Sequence, residues 1–365
     1  MRSIFLAFIV FLGTVDGDSN RKGFELVSIS EDDRFLQIIA KVEQITPFKY
    51  SNDGPPAYDI PTSSRYTYER PRAGEPDIVY YLSSPKANSF PIAVLCTGSS
   101  SKGSVSSVIH FHRYFLQECL DLELGVVSVE QWGVDGNEVN ENEFMAHYTR
   151  SQRLSDHRTV IKHLEDYPPE GWNGQLIFIG VSEGGPLVTD LSTMCPNTLA
   201  TINWCGAGDW PWADELWQFF ESAKQSSFWM RLYNAIPRWL PLSLDIPRTR
   251  HEYDALVQHI IRNPAPHQWM GGMTYLYHED AFQSPPVDYS KIRAPFLVVA
   301  GTEDSCIDSS DQFVQKAKEA AAPITYFRIE GMDHYIRLRP DIIQDSFQWL
   351  QMQITPLVIE ETMSL

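Results

Sequence analysis

Apolar residues along this chain gather in short runs, separated by polar stretches long enough to hold a helix. From about residue 90 onward the runs fall near 91–96, 125–130, 175–180, 199–205, 295–300 and 324–329. Each has the length of a strand buried on both faces. The intervals between them predict helices near 104–120, 145–166, 185–194, 309–320 and 341–352. Strands alternating with helices imply an α/β fold, with a mainly parallel central sheet and helices on both faces. Before this rhythm begins, Phe24 to Ser83 mixes apolar and polar residues in patches such as Phe35–Ala40 and Asp77–Leu82, divided by Pro- and Gly-rich turns. That pattern predicts N-terminal antiparallel strands at one edge of the sheet.

The rhythm lapses once. About 90 residues separate the run ending near Cys205 from the run beginning at Pro295, far more than a crossover requires. The interval holds Trp210, Trp212, Trp217, Trp229, Trp239 and Trp269, six of the ten tryptophans, with helical segments around 213–236 and 251–262. A helical cap insertion over 207–288 is expected, lying over the strand ends where such sheets bind ligands. The core then comprises 18–206 and 289–365. Most of these aromatic residues are expected to pack the cap onto the core.

Composition narrows the partners more than the fold. With 43% hydrophobic and 21% charged residues the chain is ordinary for a globular protein. Its net charge of -18 and pI near 4.9 argue against nucleic acid and anionic membrane surfaces. At the N-terminus, Arg2, the apolar run Ile4–Leu12 and Gly13–Gly17 fit a signal peptide over 1–17 cleaved after Gly17, so export to a periplasm or beyond is expected. A buried N-terminal strand is the alternative; the run is too short to span a bilayer. The five cysteines are too scattered for a disulfide scaffold, although Cys195 and Cys205 could pair in an exported protein.

Candidate chemistry begins at Gly180-Val181-Ser182-Glu183-Gly184-Gly185, which follows the apolar run Gln175–Ile179 and leads into Pro186–Ser192, a plausible amphipathic helix. A serine on such a strand-to-helix elbow stands clear at the strand's C-terminal end, provided the crowded positions 180 and 184 stay small. A serine hydroxyl needs a base, and the base needs an orienting carboxylate. Gly301-Thr302-Glu303-Asp304 leaves the buried run Pro295–Ala300 in a tight turn that puts Asp304 at the same sheet edge. Ile329-Glu330-Gly331-Met332-Asp333-His334 puts His334 on the loop after the last strand. Asp209, just past the strand near 199–205, is the main rival acid, with Asp308 and Glu303 weaker; Asp333 is expected to be solvated. His110 and His112 face apart on one helix and are expected to be structural or exposed. His251-Glu252 lacks the second histidine of a zinc protease, and Gly98–Ser104 lacks the lysine of a phosphate loop.

With Ser182, Asp304 and His334 in that order, residues from about 77 to 352 resemble the α/β-hydrolase superfamily. The elbow is similar to those of acyl esterases and of some capped serine aminopeptidases. The resemblance implies an oxyanion hole made by the Glu183 amide and an amide of the loop Thr97-Gly98-Ser99-Ser100, with Ser99 favoured and Ser100 a rival; each donor is typically worth about 3 kcal/mol. The Glu183 side chain is expected to meet solvent or a neighbouring polar group. A serine hydrolase acting on a carboxylic ester or thioester is therefore expected, with no cofactor or metal, and with a small-molecule acyl or ester substrate as its partner, an apolar acyl or aromatic one being favoured by the Trp-rich segment. An aminopeptidase whose cap carboxylates (Asp214, Glu215, Glu252, Asp254, Glu279, Asp280) bind an amine is one alternative. A binding protein that has lost the chemistry is the other.

Overall fold

The structure, a computed structural model, describes residues 63–363 apart from 102, 137, 227–246 and 271. The expected signal peptide over 1–17, the patch Phe35–Ala40, and Trp229 and Trp239 lie outside the described residues.

One sheet of eight strands organises the chain: β1 (Ser63–Tyr68), β2 (Ile78–Ser83), β3 (Phe90–Cys96), β4 (Gly125–Val129), β5 (Trp172–Val181), β6 (Thr198–Trp204), β7 (Phe296–Gly301) and β8 (Ile324–Ile329). Their spatial order is β1-β2-β4-β3-β5-β6-β7-β8. β2 is antiparallel to β1 and to β4, and the remaining pairings are parallel. Successive side chains of a strand face opposite ways, and both faces are apolar here. Ala93, Leu95, Ile177 and Ile179 cluster with Phe115 of α1 (Ile109–Asp121) and Phe347 of α9 (Pro340–Met363). Ile92, Val94, Leu176 and Phe178 cluster on the other face with Val160 of α3 (Arg150–Asp166) and Leu187 of α4 (Gly184–Met194). Farther along that sheet, Phe296 and Val298 meet Phe313 and Val314 of α8 (Ile307–Glu319). Burial on two sides is why these strands read as unbroken apolar runs. Each such side chain contributes roughly 1.5–3 kcal/mol by leaving water.

Two helix expectations are corrected. The segment expected as one helix over 145–166 is two, α2 (Glu141–His147) and α3, because Tyr148 is extended and Thr149 caps α3 by accepting the Gln152 N–H at 3.0 Å. Thr149-x-x-Gln152 is a capping signature that competes with helix continuation. The helix expected from 104 starts at Ile109, because the buried Glu130 carboxylate takes the Ser107 hydroxyl and the Val108 N–H and holds that stretch as a loop. Nor do Cys195 and Cys205 pair: all five cysteines are free. Cys195 precedes β6 and Cys205 follows it, so roughly 20 Å of strand lies between them.

Between β6 and β7 lie α5 (Trp212–Ser226), α6 (Arg250–Arg262), a ribbon of Trp269–Met270 with Met273–Thr274, and α7 (Tyr275–Phe282). Leu216 and Phe220 of α5 pack against Tyr253, Val257 and Ile260 of α6, with Trp217 against the same cluster and Trp269 against a neighbouring one. The ribbon and α7 have no counterpart among the sequence expectations, since their elements are too short to set up a period.

Candidate active site

The elbow after β5 holds Ser182 at φ 52°, a left-handed conformation that costs a non-glycine residue on the order of 1–3 kcal/mol. Neighbouring backbone fixes it there: the Ser182 N–H donates to the Trp204 carbonyl at 2.9 Å, and the Gly185 N–H to the Ser182 carbonyl at 2.8 Å. A Cβ at Gly180 would strike the Gly184 carbonyl, and one at Gly184 would strike the Cys96 carbonyl, as the spacing of the motif anticipates. Gly206, directly beyond Cys205, is a third small residue of this kind, which the sequence pattern did not single out. A Cβ there would meet the Ser182 carbonyl oxygen.

Three strand ends bring the candidate groups together. Ser182 Oγ lies 2.8 Å from His334 Nε2, and His334 Nδ1 lies 2.8 Å from Asp304 Oδ2. The Asp304 side chain is 2% exposed and its Oδ1 accepts the Cys306 N–H at 3.0 Å, whereas the His334 side chain is 37% exposed, toward the cleft. That contrast fixes the imidazole from behind and leaves its front open to a substrate. Desolvation pulls the His334 pKa down, but the Asp304 carboxylate, with Asp333 and Glu215 behind it, outweighs desolvation and holds the pKa above its ordinary 6.5. With Nδ1–H donated to Asp304, Nε2 can accept a proton from the serine.

Two of the other acids, Asp209 and Asp333, are engaged elsewhere. Asp209 is paired with Lys316 at 2.5 Å and accepts the Tyr289 hydroxyl at 2.5 Å. Asp333 accepts the Tyr335 N–H at 2.8 Å within its own loop, and Asp308 sits in the first turn of α8. Glu303 follows the turn, its N–H donating to the Met332 carbonyl at 3.0 Å. His110 lines the cleft, while His112 is buried between Ser83 Oγ (2.8 Å) and Ser128 Oγ (3.0 Å). Among the described residues no group of three or more His, Cys, Asp or Glu gathers as a metal site.

At the resemblance-implied oxyanion position, the Glu183 amide opens α4 and the loop after β3 runs alongside the elbow, with Gly98 close enough that a Cβ would lie 3.3 Å from that of Ser182. The Ser100 N–H is already donated to Tyr148 Oη at 3.0 Å. Of the two surroundings expected for the Glu183 side chain, neighbouring polar groups rather than solvent receive it. It is 8% exposed, paired with Arg153 at 2.9 Å, and accepts the Tyr148 hydroxyl.

A cleft of about 1800 Å³ opens over these groups, walled by residues that include Ser99, Phe111, Trp210, Trp212, Tyr277 and Phe282. Of the tryptophans between β6 and β7, Trp210 and Trp212 face it, and Trp217 and Trp269 pack against the apolar clusters of that segment. Of the six carboxylates considered for binding an amine, Glu215 lines the cleft, accepting the Ser309 hydroxyl at 2.6 Å. Asp214 and Asp254 pair with Arg250 (2.6 and 2.7 Å), Asp280 accepts the Ser151 N–H, Glu252 accepts the Arg248 N–H, and Glu279 accepts from Gln283.

No family model and no curated protein matches the sequence. Solved structures match by shape. An esterase of Pyrococcus furiosus aligns at a TM-score of 0.51 and 12% identity, over 82% of this chain and 92% of that one. Est1E of Butyrivibrio proteoclasticus, solved with ferulic acid bound, aligns at 0.51 and 16%, over 76% of this chain and 96% of that one. An acylaminoacyl peptidase of Pyrococcus horikoshii aligns at 0.49 and 15% over 80% of this chain, which spans 41% of that protein's length. At these identities the likeness establishes the fold, and the chain has the α/β-hydrolase fold.

Proposed function

We propose that the protein is a serine hydrolase that cleaves a carboxylic ester or thioester through an acyl-enzyme. Ser182 Oγ attacks the acyl carbon while His334 Nε2 takes its proton; the oxyanion collects N–H donation from Glu183 and Ser99; His334 then protonates the departing alkoxide or thiolate. Water repeats the sequence against the acyl-enzyme, and Asp304 keeps the imidazole in the required tautomer and stabilises its cation. The observation that carries this reading is the unbroken line Ser182, His334, Asp304, two contacts of 2.8 Å on a left-handed elbow facing an open cleft. The apolar aromatic wall favours an apolar or aromatic acyl group. Export after cleavage at Gly17 belongs to the same proposal.

One observation favours an aminopeptidase as the second reading: Glu215 presents a carboxylate to the cleft. Labelling with a fluorophosphonate, read by intact mass, tests the activated serine. One adduct on the wild type, absent from Ser182→Ala and slowed in His334→Ala, is expected. An unreactive, folded wild type would sink the hydrolase reading. Acyl esters set against aminoacyl amides separate the two activities, the esters being turned over faster, and Ser182→Ala should lose on the order of 10⁶ in kcat.

A further inference from the structure

The side chain after the nucleophile is committed to a buried polar unit. Glu183 meets Arg153 at 2.9 Å and the hydroxyl of Tyr148. Arg153 also donates from Nη2 to the Thr97 carbonyl at 2.7 Å, and Tyr148 Oη accepts the Ser100 N–H at 3.0 Å. Thr97 and Ser100 bracket Gly98 and Ser99, and Glu183 follows Ser182, so two side chains tie the elbow to both ends of the loop beside it. Both anchors are buried. Tyr148 is 2% exposed and stacks on Phe144 (4.5 Å) and Tyr277 (5.3 Å), and the Arg153 side chain is 6% exposed within α3.

A buried arginine–glutamate pair is poorly explained by stability, since apolar residues of similar volume do as well. Its geometry matters more. An oxyanion is stabilised only by donors that converge on one point, and a displacement of about 1 Å can cost on the order of 100-fold. We propose that Tyr148, Arg153 and the Glu183 carboxylate form a positioning unit, which fixes the loop after β3 against the elbow so that the Ser99 and Glu183 amides converge on one oxyanion. The unit rests on the serine hydrolase reading. It also takes the Ser100 N–H out of contention and selects Ser99 as the second donor.

Tyr148→Phe is the sharpest test, because it keeps the ring and its stacking and removes the hydroxyl. Expected are an unchanged circular dichroism spectrum, kcat lower by about 10- to 100-fold with KM nearly constant, and an equal loss of affinity for a trifluoromethyl ketone, which forms a tetrahedral oxyanion on Ser182. The acid limb of the pH profile should stay in place, since Asp304 and His334 are untouched. Glu183→Gln, which keeps the backbone donor, serves if Tyr148→Phe fails to fold. Combining the two should cost less than the product of the single losses. Wild-type kcat and inhibitor affinity in both variants would overturn the positioning unit while leaving the hydrolase reading intact. A wild type unreactive toward esters and fluorophosphonate would remove both.

Discussion

Histidines in two regions of this molecule differ in chemistry because of their neighbours. At the cleft, His334 has a buried carboxylate behind it and open space in front, and its pKa is raised. In the interior, His112 lies between two serine hydroxyls, and desolvation pushes its pKa down to about 3. His157, and His278 in the cleft wall although it is almost fully buried, shift the same way, with burial taking them to about 3 and about 4. Burial acts on all four. A charge that compensates for it is what separates a proton carrier from a neutral core residue.

Removing that charge should give the largest effect. Asp304→Asn leaves His334 with desolvation unopposed at short range and lets the wrong tautomer compete. We expect kcat/KM for an ester to fall by about 10⁴ with folding retained, and the acid limb to move to lower pH. Asp209→Asn is the control: its carboxylate is held by Lys316 and Tyr289, so kcat/KM should stay within about threefold. A comparable loss in both variants would break the assignment of Asp304 as the partner of His334.

Much of the cleft region was legible in the sequence because its rules are local. The elbow needs small residues at fixed offsets from Ser182, Asp304 leaves the fully buried run of β7, and His334 follows the loop after β8, which proves to be a half-buried edge strand rather than a strand buried on both faces. The buried charge network was missed for the opposite reason. Arg153, Asp156 and His157 look like surface residues by type, yet their spacing continues through Val160, Ile161 and Leu164 as one buried stripe of α3. Polar residues at core positions were the available signal, and a search for apolar periodicity passes over them. Gly206 was equally silent, since its importance arises only when β5 and β6 pair and bring it against Ser182.

Falling pH should separate the two regions. His334 must be neutral to accept a proton, and its folded pKa lies above 6.5, so kcat/KM should drop about tenfold per pH unit below that raised value, reversibly. The interior histidines act on stability instead. Their folded pKa values are depressed, so below the unfolded value of 6.5 the unfolded chain binds protons that the native state refuses. Stability is therefore lost as pH falls from 6.5 toward 4, each histidine contributing up to about 1.4 kcal/mol per pH unit. Activity should disappear first, while circular dichroism still reports a folded protein. Loss of both in one step, at one midpoint, would show that the two regions are not separable.

The mildest test reverses the first. Ser128→Ala removes the hydroxyl facing His112 Nδ1 and leaves that ring nitrogen buried without its partner, while Ser83 still serves Nε2. An unpaired buried polar atom costs about 1–3 kcal/mol, so the urea midpoint should fall at constant m-value. No step of the proposed hydrolysis passes through His112, which joins α1 to β2 and β4 on the far side of β3 from the elbow. The ester kcat and its acid limb should therefore match the wild type at pH 7.5, where both proteins are folded. The same kind of change, one partner removed from one histidine, would then register as chemistry at Asp304 and as stability at Ser128. A lowered kcat in folded Ser128→Ala would mean that the interior pair helps to place the loop after β3, and the contrast between the two regions would have to be redrawn.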